Sequence, residues 1–166
     1  MIDRRTVLCG GAAGLALAGC STSKFRSYSG PEVTRVQVFK DRRRMYLIHR
    51  TTVLQQYRVQ LGFTARGPKR FYGDGKTPEG TYLIDRRNPN SAFHLSLGIS
   101  YPNAEDIAFA EAHGKDPGGN IFIHGDRRPG DPTGPDWTAG CIAVKDRQME
   151  VVYAMIENGT PIDIFA

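Results

Sequence analysis

The chain has 166 residues, of which 40% are hydrophobic and 23% are charged, and this length suits one globular domain but not two. Its net charge is +5; without residues 1–19, 20 basic and 16 acidic residues remain, a net charge of +4. The arginines are scattered and form no single basic stripe, which argues against nucleic acid as a partner.

The N-terminus has the pattern of an export signal. Arg4 and Arg5 precede an apolar run, Val7–Gly19, that is too short to span a bilayer. Leu-Ala-Gly-Cys at its end resembles a lipoprotein signal box and predicts that cleavage leaves a lipidated Cys20. An uncleaved anchor and a plain secretory signal are the alternatives. The arginine pair also resembles a twin-arginine export signal, or serves only as the positive flank.

The next segment, residues 20–32, is interpreted as a lipidated tether, and residues 33–166 as the folded domain. Val33–Phe39 alternates apolar and polar residues, and Met45–Ile48 and Thr51–Leu61 continue with β-branched and aromatic side chains. These three segments predict a meander of antiparallel strands.

A long loop rich in glycine, proline and lysine follows at Gly62–Gly80, and long loops in compact domains are often functional. Strand patterns return at Thr81–Ile84 and His94–Ser100. Asn103 is then suited to cap a helix that extends from Ala104 to about His113.

The C-terminal part predicts two short buried strands, a helix and a last strand. The strands are Ile121–Ile123 and Ile142–Val144, joined by a loop with three prolines. Asp146 is expected to cap the helix and Gly159 to end it, before a strand at Pro161–Phe165. The expected architecture is a mainly β domain with one or two packed helices.

The cysteines point to chemistry. Cys9 lies inside the predicted signal and Cys20 would carry lipid, so Cys141 is the only free thiol of the predicted mature protein. Exported proteins usually pair or avoid cysteines, because a lone thiol is easily oxidised. The alternative is that Cys141 is a small buried core residue.

The residues around Cys141 favour a nucleophile. His124-Gly125 ends one predicted strand and Thr138-Ala139-Gly140-Cys141 opens the next, so neighbouring strand ends would bring imidazole and sulfur together. Backbone amides around Gly140 and Cys141 could form an oxyanion hole. The alternative for His124 is a hydrogen-bonded histidine at a strand end. A backbone carbonyl is expected to orient its ring, since glycine follows it.

This pattern, His-Gly followed by Thr-x-Gly-Cys-Ile, resembles the L,D-transpeptidase catalytic domain (YkuD) family over roughly residues 33–166. Lys76-Thr77-Pro78-Glu79-Gly80-Thr81 resembles the family's Thr-Pro-x-Gly loop. The residues 136–144, together with Phe93-His94-Leu95-Ser96-Leu97, resemble the YafK-like branch. The resemblance implies an L,D-transpeptidase-like β-sandwich or barrel.

The resemblance also implies a reaction. Cys141 would attack an L-centre to D-centre peptide bond in a peptidoglycan stem peptide, with His124 as general base and backbone amides of Ala139, Gly140 and Cys141 holding the oxyanion. The acyl group would pass to an amine, or to water in a hydrolase that detaches a D-amino acid or a linked lipoprotein. Ala139 and Ala143 replace the family's usual histidine and arginine, which leaves the acceptor open.

Further residues are candidates for substrate contacts: Thr138, Trp137, Asp136, His94 and Gly125. Trp137 is either a lid over the site or a hydrophobic anchor of its loop, and Asp136 either binds an amine or caps a turn. His94 either lines the cleft or is hydrogen-bonded on a sheet face. Neither a metal site nor a cofactor motif is present in the sequence.

The expected location is the periplasm, with a lipid at Cys20 that anchors the protein, in our interpretation, to the outer membrane. Two functions without catalysis are alternatives. One is a wall-binding lipoprotein that holds stem peptide in the same cleft, and the other is a charge-dependent binder of anionic envelope polymers.

Overall fold

The predicted strand patterns correspond to real strands in the structure, a computed structural model that describes residues 23–166. Within that range there are eight strands and two helices. The strands are β1 (Arg35–Phe39), β2 (Arg44–His49), β3 (Thr52–Arg58), β4 (Gly80–Asn88), β5 (Ser96–Ile99), β6 (Phe122–His124), β7 (Ile142–Ala143) and β8 (Pro161–Phe165). The helices are α1 (Ala104–Ala112) and α2 (Asp146–Met155).

The strands form one mixed sheet in the order β3-β2-β1-β8-β4-β5-β6-β7. The first three strands are an antiparallel meander, as predicted. The last strand, β8, lies between β1 and β4, parallel to the former and antiparallel to the latter. The C-terminal strand therefore joins the N-terminal meander to the strands that carry the candidate catalytic residues.

The sheet curls until its two ends meet. Beyond β3, Gln60 pairs with Ala143 of β7 through two backbone hydrogen bonds of 2.9 Å. A second bridge joins Gly62 to Thr138, where the Thr138 amide donates to the Leu61 carbonyl at 3.1 Å. This partial closure and the two helices confirm the predicted mainly β domain with packed helices.

The core lies inside the curled sheet and under α2. Alternation along β1 buries Val36 and Val38 completely, as a strand with one apolar face requires. The helix α2 adds Met149, Val152 and Met155 from one side, at the three- and four-residue spacing of a helical stripe. Removal of these apolar side chains from water holds the helix against the sheet.

The cap predicted for α1 is confirmed. Asn103 is the N-cap, and its side chain accepts from the Asp106 amide at 3.0 Å while the Asp106 carboxylate accepts from the Asn103 amide at 3.1 Å. These reciprocal bonds satisfy two amides that otherwise lack partners at a helix start. The helix ends at Ala112, with His113 as the C-cap.

The predicted ends of α2 are wrong. Its N-cap is Lys145, and Asp146 is the first helical residue. The Asp146 carboxylate instead accepts from the Asp126 amide at 2.9 Å and pairs with Arg128 at 2.8 Å, so it anchors a distant loop. The helix stops at Met155, and Gly159, at φ +89°, lies in the turn beyond it.

The predicted signal, residues 1–19, and the predicted lipid site, Cys20, lie outside the described residues. Of the predicted tether, residues 23–32 are described, and Lys24 and Arg26 contact the domain. No helix within residues 23–166 combines the length and apolarity needed to cross a membrane.

Candidate active site

The two residues that the sequence pairs belong to two adjacent parallel strands, with His124 as the last residue of β6 and Cys141 just before β7. β6 and β7 are in register with Ile123 opposite Ile142 and His124 opposite Ala143. By the same register, Cys141, which directly precedes β7, lies beside Phe122, the first residue of β6, two positions before His124. His124 and Cys141 line one cavity of about 260 Å³. Its other lining residues are Asn88, Ser91, Ala92, Phe93, Ser96, Asn120 and Phe122.

One ring nitrogen of His124 is held by the backbone. Nδ1 lies 2.8 Å from the Gly125 carbonyl oxygen. A carbonyl can only accept a hydrogen bond, so Nδ1 carries the proton and Nε2 of the neutral ring is left as an acceptor. A backbone carbonyl thus orients the ring, in agreement with the sequence prediction.

Aromatic side chains enclose the His124 ring. The Phe93 ring lies 4.5 Å from it, centroid to centroid, and the Trp137 ring meets it edge-on at 5.6 Å. Burial lowers the pKa of His124, although the hydrogen bond to Gly125 acts in the opposite direction. The imidazole is therefore neutral at neutral pH and able to accept a proton.

The sulfur of Cys141 is half-buried and in the thiol form. Its Sγ donates to the Asn120 carbonyl oxygen at 3.5 Å. Burial raises the pKa of this thiol, and the opposing effects of the Phe122 amide and of the Lys69 charge are smaller. Burial thus favours the neutral form of both groups, a thiol at Cys141 and an uncharged imidazole at His124.

The turn before Cys141 is shaped by one hydroxyl. Thr138 Oγ1 donates to the Cys141 carbonyl at 2.7 Å and accepts from the Gly140 amide at 3.1 Å. Gly140 has φ +132°, and a Cβ there would lie 2.6 Å from the Lys76 carbonyl oxygen. Glycine is thus required both by the backbone conformation and by the close approach of the 62–80 loop.

These bonds change the predicted oxyanion hole. The Gly140 amide already donates to Thr138 Oγ1, so Gly140 shapes the turn and does not offer a free donor. Within residues 23–166, no protein oxygen accepts from the Cys141 or Ala139 amide. The oxyanion prediction therefore rests on these two amides.

Three residues predicted to contact substrate are engaged by other groups of the domain. Thr138 is buried, and its hydroxyl makes the two hydrogen bonds just described. The Asp136 carboxylate is occupied by Arg43, with its closest approach at 2.6 Å, and by the Leu61 amide at 3.1 Å. Trp137 is 7% exposed and packs against His124, so it anchors its loop and does not form a lid.

The remaining two predicted contacts are not among the residues that line the cavity. His94 Nε2 lies 3.1 Å from Glu150 of α2. Gly125 positions His124 through its carbonyl, and its own amide donates to Phe93 at 2.9 Å. A Cβ on Gly125 would lie 2.5 Å from the Phe93 carbonyl oxygen, so the tight approach requires glycine.

Phe93 and Asn120 are the residues that sequence reasoning missed. The predicted strand from His94 left open whether that histidine lines the cleft or is hydrogen-bonded on a sheet face; in the structure His94 has φ +74° and bonds Glu150, and β5 begins at Ser96. This conformation breaks the strand alternation, so Phe93 meets the cavity in its place. Asn120, at φ +56°, contributes only its carbonyl, for which the sequence has no signal.

The family model of the L,D-transpeptidase catalytic domain, YkuD, matches residues 33–164. This chain belongs to that family. The match covers β1 to β8, with both His124 and Cys141 inside it. Within residues 23–166, no three metal-binding side chains are grouped as a metal site would require.

Individual relatives and solved structures are also similar to this chain. YafK of Escherichia coli K12 is 28% identical over 127 residues, which is 73% of this chain and 46% of the relative. The helical cell shape determining protein Pgp2 from Campylobacter jejuni is 26% identical, with a TM-score of 0.62 over 82% of this chain and 48% of its own. Bd1075 of Bdellovibrio bacteriovorus is 25% identical, with a TM-score of 0.59 over 81% and 48%. The chain thus spans about half the length of these relatives.

Proposed function

We propose that this protein is a cell-envelope cysteine acyl-transfer enzyme that acts on peptidoglycan stem peptides through a thioester at Cys141. The observation that carries the proposal is the locked His124 ring: its Nδ1 is bound to the Gly125 carbonyl, and its ring borders the cavity that holds the Cys141 sulfur. A histidine fixed in this tautomer is suited to take a thiol proton at Nε2.

The first half of the reaction forms the acyl-enzyme. His124 Nε2 takes the proton of Cys141 as the sulfur attacks the carbonyl at the L-centre of the scissile bond. The Cys141 and Ala139 amides stabilise the negative charge on the carbonyl oxygen. The tetrahedral intermediate collapses with transfer of the proton from His124 to the leaving amine, which departs with the D-amino acid and leaves a thioester.

The second half passes the acyl group on. An acceptor amine or a water molecule attacks the thioester carbonyl while His124 again takes a proton, and the sulfur leaves and is reprotonated. Attack by an amine makes a crosslink, whereas attack by water releases a shortened stem peptide; the D-amino acid or the linked lipoprotein has already left in the first half.

The decisive experiment separates these outcomes. Purified protein is incubated with muropeptides, with and without a linked lipoprotein fragment, and the products are identified by mass. Crosslinked dimers indicate transfer to an amine, and shortened peptides without a crosslink indicate hydrolysis, while a released lipoprotein fragment identifies the leaving group of the first half. If the protein binds muropeptides but forms no product, it is a wall-binding protein, and the proposal is wrong.

A carbapenem tests the nucleophile directly. The expected result is one covalent adduct by intact mass that Cys141→Ser and Cys141→Ala abolish. Thr160→Ser serves as a control, because Thr160 is a buried residue on the approach to β8, away from the cavity. An adduct that persists in Cys141→Ala would contradict the assignment.

We also propose that the protein works in the periplasm, anchored by lipid at Cys20. The support is the signal pattern that ends in Leu-Ala-Gly-Cys. Cys20→Ala should release the protein from the membrane fraction, and an unchanged fractionation would refute the anchor.

A further inference from the structure

A short segment ahead of the first strand is bound to the wall of the cavity. Lys24 Nζ donates to the Pro89 carbonyl at 2.6 Å and to the His94 carbonyl at 3.2 Å. Arg26 Nε donates to the Glu150 carboxylate at 2.8 Å. The segment thus binds the two ends of one loop, residues 89–94, and the neighbouring helix α2.

The Glu150 carboxylate that accepts from Arg26 also binds His94, the last residue of the loop. One oxygen of Glu150 takes Arg26, and the other lies 3.1 Å from His94 Nε2. Hydrogen bonds from Arg26 and His94 lower the pKa of Glu150 although burial acts to raise it. Both oxygens are used and the group is ionised near neutral pH, so this is a charge-assisted contact.

The loop so held forms part of the cavity. Ser91, Ala92 and Phe93 line it, and the Phe93 ring lies against His124 at 4.5 Å. The Phe93 carbonyl also accepts from the Gly125 amide at 2.9 Å, and Gly125 in turn orients His124. A shift of this loop therefore moves the imidazole by two routes.

Few other bonds fix the loop. Its internal bonds are local, such as Asn90 amide to Asn88 and Phe93 amide to Ser91. From outside, Arg128 Nε donates to the Ala92 carbonyl at 3.1 Å. A short loop with mainly local bonds is held in one position by its external contacts, and Lys24 supplies two of them.

We propose that Lys24 and Arg26 are positioning residues, which hold the 89–94 loop and through it the His124 imidazole that activates Cys141. Neither residue lines the cavity. The N-terminal segment thereby couples the part of the chain next to the predicted anchor to the reactivity of the nucleophile. The inference rests on the proposed function for its meaning, but its test does not need the natural substrate.

The test measures how fast iodoacetamide alkylates Cys141 in the full chain, with the modified peptide followed by mass over a range of pH. Lys24→Ala and Arg26→Ala are combined in one variant. Arg35→Ala is a matched control, because Arg35 pairs with Asp163 at 2.6 Å with side-chain exposures of 44% and 12%, against 53% and 11% for Arg26 and Glu150.

The double variant should alkylate about fivefold more slowly, since an aromatic contact to the base is weakened. Lys24→Arg combined with Arg26→Lys should restore the rate, and Arg35→Ala should leave it unchanged. Equal rates and pH profiles in the double variant and the wild type would overturn the inference, as would a loss of stability without any change in rate. If the protein forms no carbapenem adduct, the proposed function is wrong, but the alkylation rates of the variants and the wild type can still be compared.

Discussion

The hydroxyl of Thr138 offers a sharp test of how the nucleophile is presented. Thr138→Val keeps the shape of the side chain and removes the atom that bonds both the Cys141 carbonyl and the Gly140 amide. Thr138 is 4% exposed, so water does not readily replace these bonds. Each buried partner left unsatisfied costs about 1–3 kcal/mol.

If the cost of each unsatisfied group falls in the lower half of that range, the two costs together lower the free energy of unfolding by about 3 kcal/mol. For a domain of this size, this corresponds to a fall in Tm of about 6–12 °C. Thr138→Ser keeps the hydroxyl and loses one methyl group, at a cost of about 1 kcal/mol. The pair of variants therefore separates the hydrogen bonds from packing.

Chemical denaturation gives the stabilities, and carbapenem adduct formation by mass gives the function. Thr138→Val should also form the adduct at least about tenfold more slowly, because its turn no longer fixes the Cys141 amide toward the oxyanion. Equal stability and equal adduct rates in the two variants would refute the role assigned to this hydroxyl.

Other predictions concern pH, packing and the anchoring of the loop before Cys141. Alkylation of Cys141 should accelerate steadily from neutral into alkaline pH, because burial raises the pKa of this thiol; a plateau reached by pH 6 would reveal a preformed thiolate. Gly125→Ala should destabilise the protein by about 2 kcal/mol in denaturation, because its Cβ meets a backbone carbonyl, whereas Gly134→Ala, with open space around it, should be neutral. Asp136→Asn should lower the free energy of unfolding by about 1 kcal/mol, because it weakens the partly exposed pair with Arg43. If the variant keeps its stability but binds muropeptides more weakly, Asp136 contacts the substrate.

The parts of the site that were predictable from sequence depend on residues that are close together in the chain. His124-Gly125 and the turn that ends at Cys141 carry their own strand and turn signals, so the pair and the carbonyl that orients the histidine could both be inferred. The same holds for Asn103, whose cap involves only a residue three positions away.

The unpredictable parts depend on contacts between distant segments. Asp136 looked free in the sequence, but Arg43 lies 93 positions before it and occupies its carboxylate. Asp146 had the right residue type for a helix cap, yet Arg128 and the Asp126 amide hold it in a different role. In both cases a tertiary contact outcompetes the local preference on which sequence reasoning depends.

The meeting of the sheet's two ends beside Cys141 has a consequence for the order of assembly. The bridges at Gln60 and Gly62 and the contacts of Asp136 join segments 75 to 93 positions apart. Contacts of such sequence separation form late, because loop closure must be achieved first, and topologies of this kind fold on the scale of milliseconds to seconds. Before this closure the Cys141 thiol lacks the cover of the folded cavity and is open to oxidation. The contacts that shape the site around the sulfur thus also shield it.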